Sequence, residues 1–165
     1  MIPYSRQNIN TEDIKSVKKV LRSDFLTQGS FVPKFENLLV KFTGAKYSVT
    51  ANSATSALHI ACLALEVQKG DIVWTSPNTF VASANCALYC GADVDFVDIN
   101  PSTYNICIDS LETKLIEAKK FNKLPKVIIP VHFSGYPCDM PKIYKLSKKY
   151  NFKIIEDASH AIGSK

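Results

Sequence analysis

The sequence predicts an α/β domain, a mostly parallel β-sheet with helices on both faces. From Tyr47 onward, short apolar runs alternate with stretches whose apolar residues recur at helical period. Strand and helix in alternation bring each strand back parallel to the one before and cover both faces of the sheet, so the strands themselves read as continuous apolar runs. The composition agrees: 165 residues with 46% hydrophobic content supply a core of ordinary domain size.

The first elements are helical. Thr11 is suited to cap a helix running to about Arg22, in which Ile14, Val17, Val20 and Leu21 recur with helical period. Asp24 to Gly29 reads as a loop. A second helix starts near Ser30 with an apolar stripe of Phe31, Phe35, Leu38, Leu39 and Phe42, and Gly44 is placed to end it. The predicted strands are Tyr47 to Ala51, Ile72 to Trp74, Val94 to Val97, Val127 to Val131 and Phe152 to Ile155. Between them, Ser53 to Leu65, Phe80 to Cys90, Asp109 to Lys119 and Pro141 to Tyr150 are helical by period, with Gly91 stopping the second. No internal repeat, linker or low-complexity segment interrupts the series.

Charge and cysteine content exclude several classes of function. The formal charge of +5 is spread over short stretches, without the basic block that tracks a nucleic-acid backbone, so no nucleic-acid partner is expected. Lys142, Lys145, Lys148, Lys149 and Lys153 are the densest positive group; they fall opposite Ile143, Tyr144 and Leu146 and read as a solvated helix face. Five cysteines, Cys62, Cys86, Cys90, Cys107 and Cys138, show no CxxC pair, which suits buried thiols in a reducing compartment. Cys86 and Cys90 share a helical face, but without a nearby histidine they read as core and not as metal ligands. The first residues lack a signal peptide's basic and apolar regions and no run is long enough to span a membrane, so the expected location is cytoplasmic.

In open α/β sheets, ligands bind outside the carboxyl ends of the strands, so the residues just past each strand are the candidates for a site. Asn52-Ser53-Ala54-Thr55-Ser56-Ala57 joins a strand to an alanine-rich helix. Small residues there admit a ligand to the backbone, and the helix start favours an anion such as phosphate; hydroxyl residues also cap helices routinely, and both readings stand. Ser76-Pro77-Asn78-Thr79-Phe80 comes after the next strand. The Phe80 ring is a candidate to stack on a planar cofactor or equally a core residue. Glu156-Asp157-Ala158-Ser159-His160 comes after the last strand, where a carboxylate can pair with a protonated pyridine nitrogen and His160 can reach a ring substituent. Asp157 as a turn cap and His160 as a satisfied histidine are the alternatives. Ser134-Gly135 lacks a G-x-S-x-G frame, and there is neither a GxGxxG nor a P-loop.

Six segments carry a resemblance: PYSRQNI at 3–9, SDFLTQG at 23–29, NSATSALH at 52–59, TSPNTFVASANCAL at 75–88, GADVDFVDI at 91–99 and EDASHAIGS at 156–164. In this order they resemble the DegT/StrS family of pyridoxal-phosphate (PLP) dependent sugar aminotransferases, and the resemblance spans the whole chain. It implies the large domain of a type I, aspartate-aminotransferase-like PLP transferase fold, with residues 1–45 as a helical arm and substrate loop and 46–165 as the α/β sheet. It implies a homodimer when full length. Carried over by motif, Asp157 pairs with the pyridine nitrogen, His160 lies beside the ring hydroxyl, Phe80 stacks on the ring, and Ala54 and Thr55 hold the phosphate. Tyr4, Asp24, Phe25, Leu26, Thr27 and Ser53 line the sugar-nucleotide side.

The implied reaction is transfer of an amino group from glutamate to a UDP-4-keto-6-deoxy-N-acetylhexosamine, as in pseudaminic acid or related amino-sugar synthesis. One departure bears on it. The family's Schiff-base lysine is expected well downstream of the aspartate, in a serine-aromatic-histidine context, and Lys165 has none of that context. No residue of this chain is therefore expected to be the catalytic lysine, and a small C-terminal domain is expected outside it. The expectation for the chain alone is inactivity. The alternative reading is a non-catalytic family member that binds a sugar nucleotide or serves as a partner half.

Overall fold

A computed structural model describes residues 6–164, and the chain divides into two compact units, Met1–Thr50 and Ala51–Lys165. The first unit holds helices α1 (Thr11–Leu21) and α2 (Phe31–Thr43). Asn10, not Thr11, caps α1: its side-chain oxygen accepts from the amides of Glu12 at 2.8 Å and Asp13 at 3.1 Å, and the Asp13 carboxylate accepts from the Asn10 amide at 2.8 Å. Both residue types can cap, but only the one at position 10 has a carboxylate three residues on to close the reciprocal pair. Gly44 ends α2 in the left-handed region at φ 74°, as predicted.

The predicted strand at Tyr47 to Ala51 is not formed; the segment is irregular, with Tyr47 77% exposed. β-branched and aromatic residues favour an extended chain, but a strand is completed by a neighbour's hydrogen bonds, and none of the described residues pairs with this one. Instead, the amide and hydroxyl of Thr50 donate to Glu36 of α2 at 2.9 and 3.0 Å.

The second unit is built on a parallel sheet of β1 (Ile72–Thr75), β2 (Asp93–Phe96), β3 (Val127–Ile129) and β4 (Lys153–Ile154), in the spatial order β2-β1-β3-β4. Helices α3 (Ala54–Ala64), α4 (Ala82–Tyr89), α5 (Ile108–Lys120) and α6 (Met140–Tyr150) cover it. These strands and helices fall where the pattern predicts, differing only at their ends.

Alternation along the strands sends side chains to opposite faces. Val73, Val127 and Ile129 pack with Leu58 and Cys62 of α3 and Ala82, Cys86 and Ala87 of α4. Trp74 and Ile128 pack on the other face with Leu111 and Leu115 of α5 and Ile143, Leu146 and Tyr150 of α6. The lysines of α6 are exposed as expected, but Tyr144 turns outward with them, and the Lys148 Nζ sits 4.8 Å from its ring centroid. The chain runs from β1 to β2 on one side and then crosses to β3 on the other. That reversal puts the topological switch point at the carboxyl ends of β1 and β3, where a ligand is expected.

Candidate active site

The chain leaving β4 brings Asp157 beside the carboxyl end of β3. An isolated parallel bridge pairs Val131 with Asp157; the Asp157 amide donates to the Pro130 carbonyl at 3.0 Å, and the His132 amide donates to the Asp157 carbonyl at 3.1 Å. The Asp157 side chain is thus fixed at its base by the strand ladder. It is only 6% exposed, and its carboxylate accepts from the Ser83 hydroxyl at 2.6 Å and the Ser159 hydroxyl at 2.6 Å. Among the described residues no lysine, arginine or histidine forms an ion pair with it. A buried carboxylate normally finds a cation, because neutral hydroxyls do not offset its charge. A protonated aromatic nitrogen fits this arrangement.

Beside it, His132 is a buried residue that the sequence does not single out. Its Nδ1 accepts from the Cys138 amide at 3.1 Å and its Nε2 meets the Glu156 carboxylate at 3.0 Å. The Cys138 thiol side chain and the Glu156 carboxylate push its pKa up, to about 9, while burial pulls it down. The Cys138 amide on Nδ1 acts the other way, because a doubly protonated ring has no lone pair to receive an N–H. The same contact with His132 lowers the Glu156 carboxyl, against burial.

The turn beyond Asp157 is clamped against the turn beyond β3. Gly135 lies in the left-handed region at φ 83°, and a Cβ there would meet the His160 carbonyl oxygen at 2.7 Å. Ser164 donates to the Gly135 carbonyl at 2.8 Å. The His160 side chain is exposed.

At the start of α3, the Ser53 hydroxyl accepts from the Ser56 amide at 3.2 Å, and the Ser56 hydroxyl donates to the Asn52 side chain at 2.8 Å. Ser53 is therefore a cap, which answers one of the helix's orphan donors. The amides of Ala54 and Thr55 precede the first intrahelical bond, from Ala57 to Ser53 at 3.0 Å, and remain available to an anion. α3 packs on α4, which carries Ser83 to Asp157.

Phe80 is 73% exposed and so is not core. Asp24, Phe25, Leu26 and Thr27 belong to the first unit, where they form an exposed turn after α1. Ser23 holds that turn, its hydroxyl lying 2.7 Å from the Val20 carbonyl and 3.1 Å from that of Phe25. Tyr4 lies outside the described residues.

Cys86 is buried, and its thiol lies 3.4 Å from the Ser83 carbonyl. A hydrogen bond between the Cys62 and Cys86 thiols pushes the first up and the second down. Among the described residues no cluster of three or more His, Cys, Asp or Glu side chains is placed to hold a metal, and no helix is long and apolar enough to cross a membrane.

Ser83 escapes sequence reasoning because a serine on the buried face of a helix gives no local sign that its partner stands 74 positions away. His132 escapes it for a similar reason, since its partners come from the next strand and the next turn.

A transaminase from Campylobacter jejuni, named for UDP-4-amino-4,6-dideoxy-N-acetyl-beta-L-altrosamine, is 44% identical over 164 residues, which is 99% of this chain and 42% of that protein. The chain thus spans about two fifths of the length of that relative. The solved structure of Helicobacter pylori PseC, an aminotransferase of pseudaminic acid biosynthesis, superposes with a TM-score of 0.89 at 35% identity, covering 99% of this chain and 43% of that one. The PMP-form of Spr1654 from Streptococcus pneumoniae, named a putative sugar aminotransferase, superposes with a TM-score of 0.87 at 32% identity, covering 99% of this chain and 43% of that one. The model of the DegT/DnrJ/EryC1/StrS aminotransferase family matches residues 7–165, and the chain belongs to that family.

Proposed function

We propose that the protein carrying this chain is a PLP-dependent aminotransferase of nucleotide sugars, and that Asp157 is the partner of the cofactor's ring nitrogen. The observation that carries this reading is the buried Asp157 carboxylate, held by two hydroxyls and, as a turn cap, by the Ser159 amide at 3.3 Å, with no cation paired to it among the described residues. When bound, PLP supplies an electron sink that lets nitrogen pass between an amino donor and a keto sugar.

The residues of this chain have binding and orienting roles. Asp157 holds the proton on the ring nitrogen by its negative charge. The free amides of Ala54 and Thr55 suit the phosphate, with the dipole of α3 behind them. Exposed Phe80 suits the ring face, and His160 the ring hydroxyl. Tyr4, Asp24, Phe25, Leu26, Thr27 and Ser53 are assigned to the sugar nucleotide. The name of the Campylobacter relative supports a UDP-4-keto-6-deoxy-N-acetylhexosamine as acceptor, with glutamate as donor. Proton transfer at the reacting carbon is assigned to a lysine outside these residues, and the functional form to a cytoplasmic homodimer.

The test is PLP binding by the native protein and by Asp157→Asn, which keeps the shape and removes the charge. Loss of a hydrogen bond to a charged group is expected to weaken binding roughly ten- to hundredfold. Equal affinity in the two proteins would overturn the reading.

A further inference from the structure

Asp157 is approached by a file of two hydroxyls whose direction can be worked out. Ser83, on α4, is 0% exposed, and its oxygen is 2.6 Å from Asp157 Oδ2, 2.8 Å from Thr79 Oγ1 and 3.2 Å from the Phe80 carbonyl. A hydroxyl has one proton to give. An ionised carboxylate can only accept, so the Ser83 proton goes to Asp157, and the longer contact to Phe80 is the weaker competitor. Ser83 then has only lone pairs left for Thr79. Thr79 must therefore donate to Ser83, and the file runs from Thr79 through Ser83 to Asp157.

The choice of partner is informative. A helical serine ordinarily returns its hydroxyl to a carbonyl of the preceding turn, and the Phe80 carbonyl is in place for that. Ser83 instead makes its shorter bond to a residue 74 positions away. On the opposite side, Ser159 donates to Oδ1 at 2.6 Å. The terminal torsion of an aspartate is broad when nothing holds it. Here a helix grips one oxygen and the next turn grips the other, which fixes the plane of the carboxylate and leaves its remaining lone pairs for a ligand.

We propose that Ser83, backed by Thr79, is a positioning residue that sets the Asp157 carboxylate to receive a cationic ring nitrogen. This rests on the reading of Asp157 given above. Ser83 touches no ligand itself; it acts through the carboxylate it orients. Polarisation along the file adds to the hold, since each hydroxyl that accepts a bond becomes a better donor.

The experiment compares the dissociation constants of PLP and of its 1-deaza analogue, which has carbon in place of the ring nitrogen, on the native protein, Ser83→Ala and Ser83→Thr. The native protein is expected to prefer PLP. In Ser83→Ala that preference shrinks about tenfold, as for loss of one bond to a charged group, while the analogue binds unchanged. Ser83→Thr, which keeps the hydroxyl, restores it. If Ser83→Ala weakens both ligands equally, or leaves the preference intact, Ser83 has no positioning role. If the native protein itself shows no preference, the assignment of Asp157 fails, a result distinct from the other two. Should Ser83→Ala not fold, Thr79→Val, at a half-buried position, decides: its preference is expected to narrow about threefold, and an unchanged preference overturns the file.

Discussion

Asp157 and His132 sit side by side where β4 and β3 end, and they are satisfied in opposite ways. His132 has both ring nitrogens occupied by its own chain, the Cys138 amide on one and Glu156 on the other. Asp157 is equally buried and has hydroxyl donors on both oxygens, yet no positive charge faces it among the described residues. A buried polar group that closes its own bonds holds the fold together. One that is buried with its charge unbalanced is costly in the empty protein and becomes favourable when a cation arrives.

Three measurements of stability break or sharpen this contrast. The largest effect is expected at His132: replacing it with alanine leaves the Cys138 amide unpaired and a hole beside the strand ends, and should cost about 2–4 kcal/mol in urea unfolding. A cost near zero would remove its structural role. Asp157→Asn in the ligand-free protein should change stability by less than about 1 kcal/mol, because lost hydroxyl bonds are offset by relief of an unbalanced charge. A cost matching that of His132→Ala would show that Asp157, too, is structural.

The smallest effect lies in pH. The Glu156 carboxyl is held below its usual value by His132, so its stabilisation is fully present above the unfolded pKa of about 4.3 and is lost as pH falls through the lowered folded value. Because Glu156 is half exposed, the amount is about 0.5 kcal/mol after solvent screening. Glu156→Gln should remove that part of the acid sensitivity; an acid limb of unchanged depth would mean the pair contributes nothing.

Much of this is legible in the sequence because it depends on local chemistry. Ser53 ahead of an alanine-rich run, Gly44 after an apolar stripe, and Asp157 directly behind a strand all declare themselves within a few residues. Two local signals mislead. Thr11 has the composition of a cap, but Asp13 three residues beyond Asn10 marks the reciprocal pair and decides for Asn10. Tyr47 to Ala51 has strand composition, but composition does not supply a neighbour to pair with. Bonds closed over long separations cannot be read at all. Ser83 with Asp157, and His132 with Glu156 and Cys138, exist only because β3, β4 and α4 meet, and no window of sequence contains that meeting.

The strand order has a consequence for how the protein is made. β1 emerges first from the ribosome and ends in the interior of the sheet; β2 then adds to one of its edges, β3 to the other, and β4 beyond β3. Among these four strands of the described residues none has to insert between two already joined, so each finds an open edge waiting, and this part of the sheet grows outward in the direction of synthesis. Ser83 is in place long before its partner. Until β4, the last of the four strands, docks and brings Asp157 with it, the Ser83 hydroxyl has only the local Phe80 carbonyl and Thr79 hydroxyl to donate to. Formation of the bond to Asp157 therefore reports that the sheet has been assembled as far as β4.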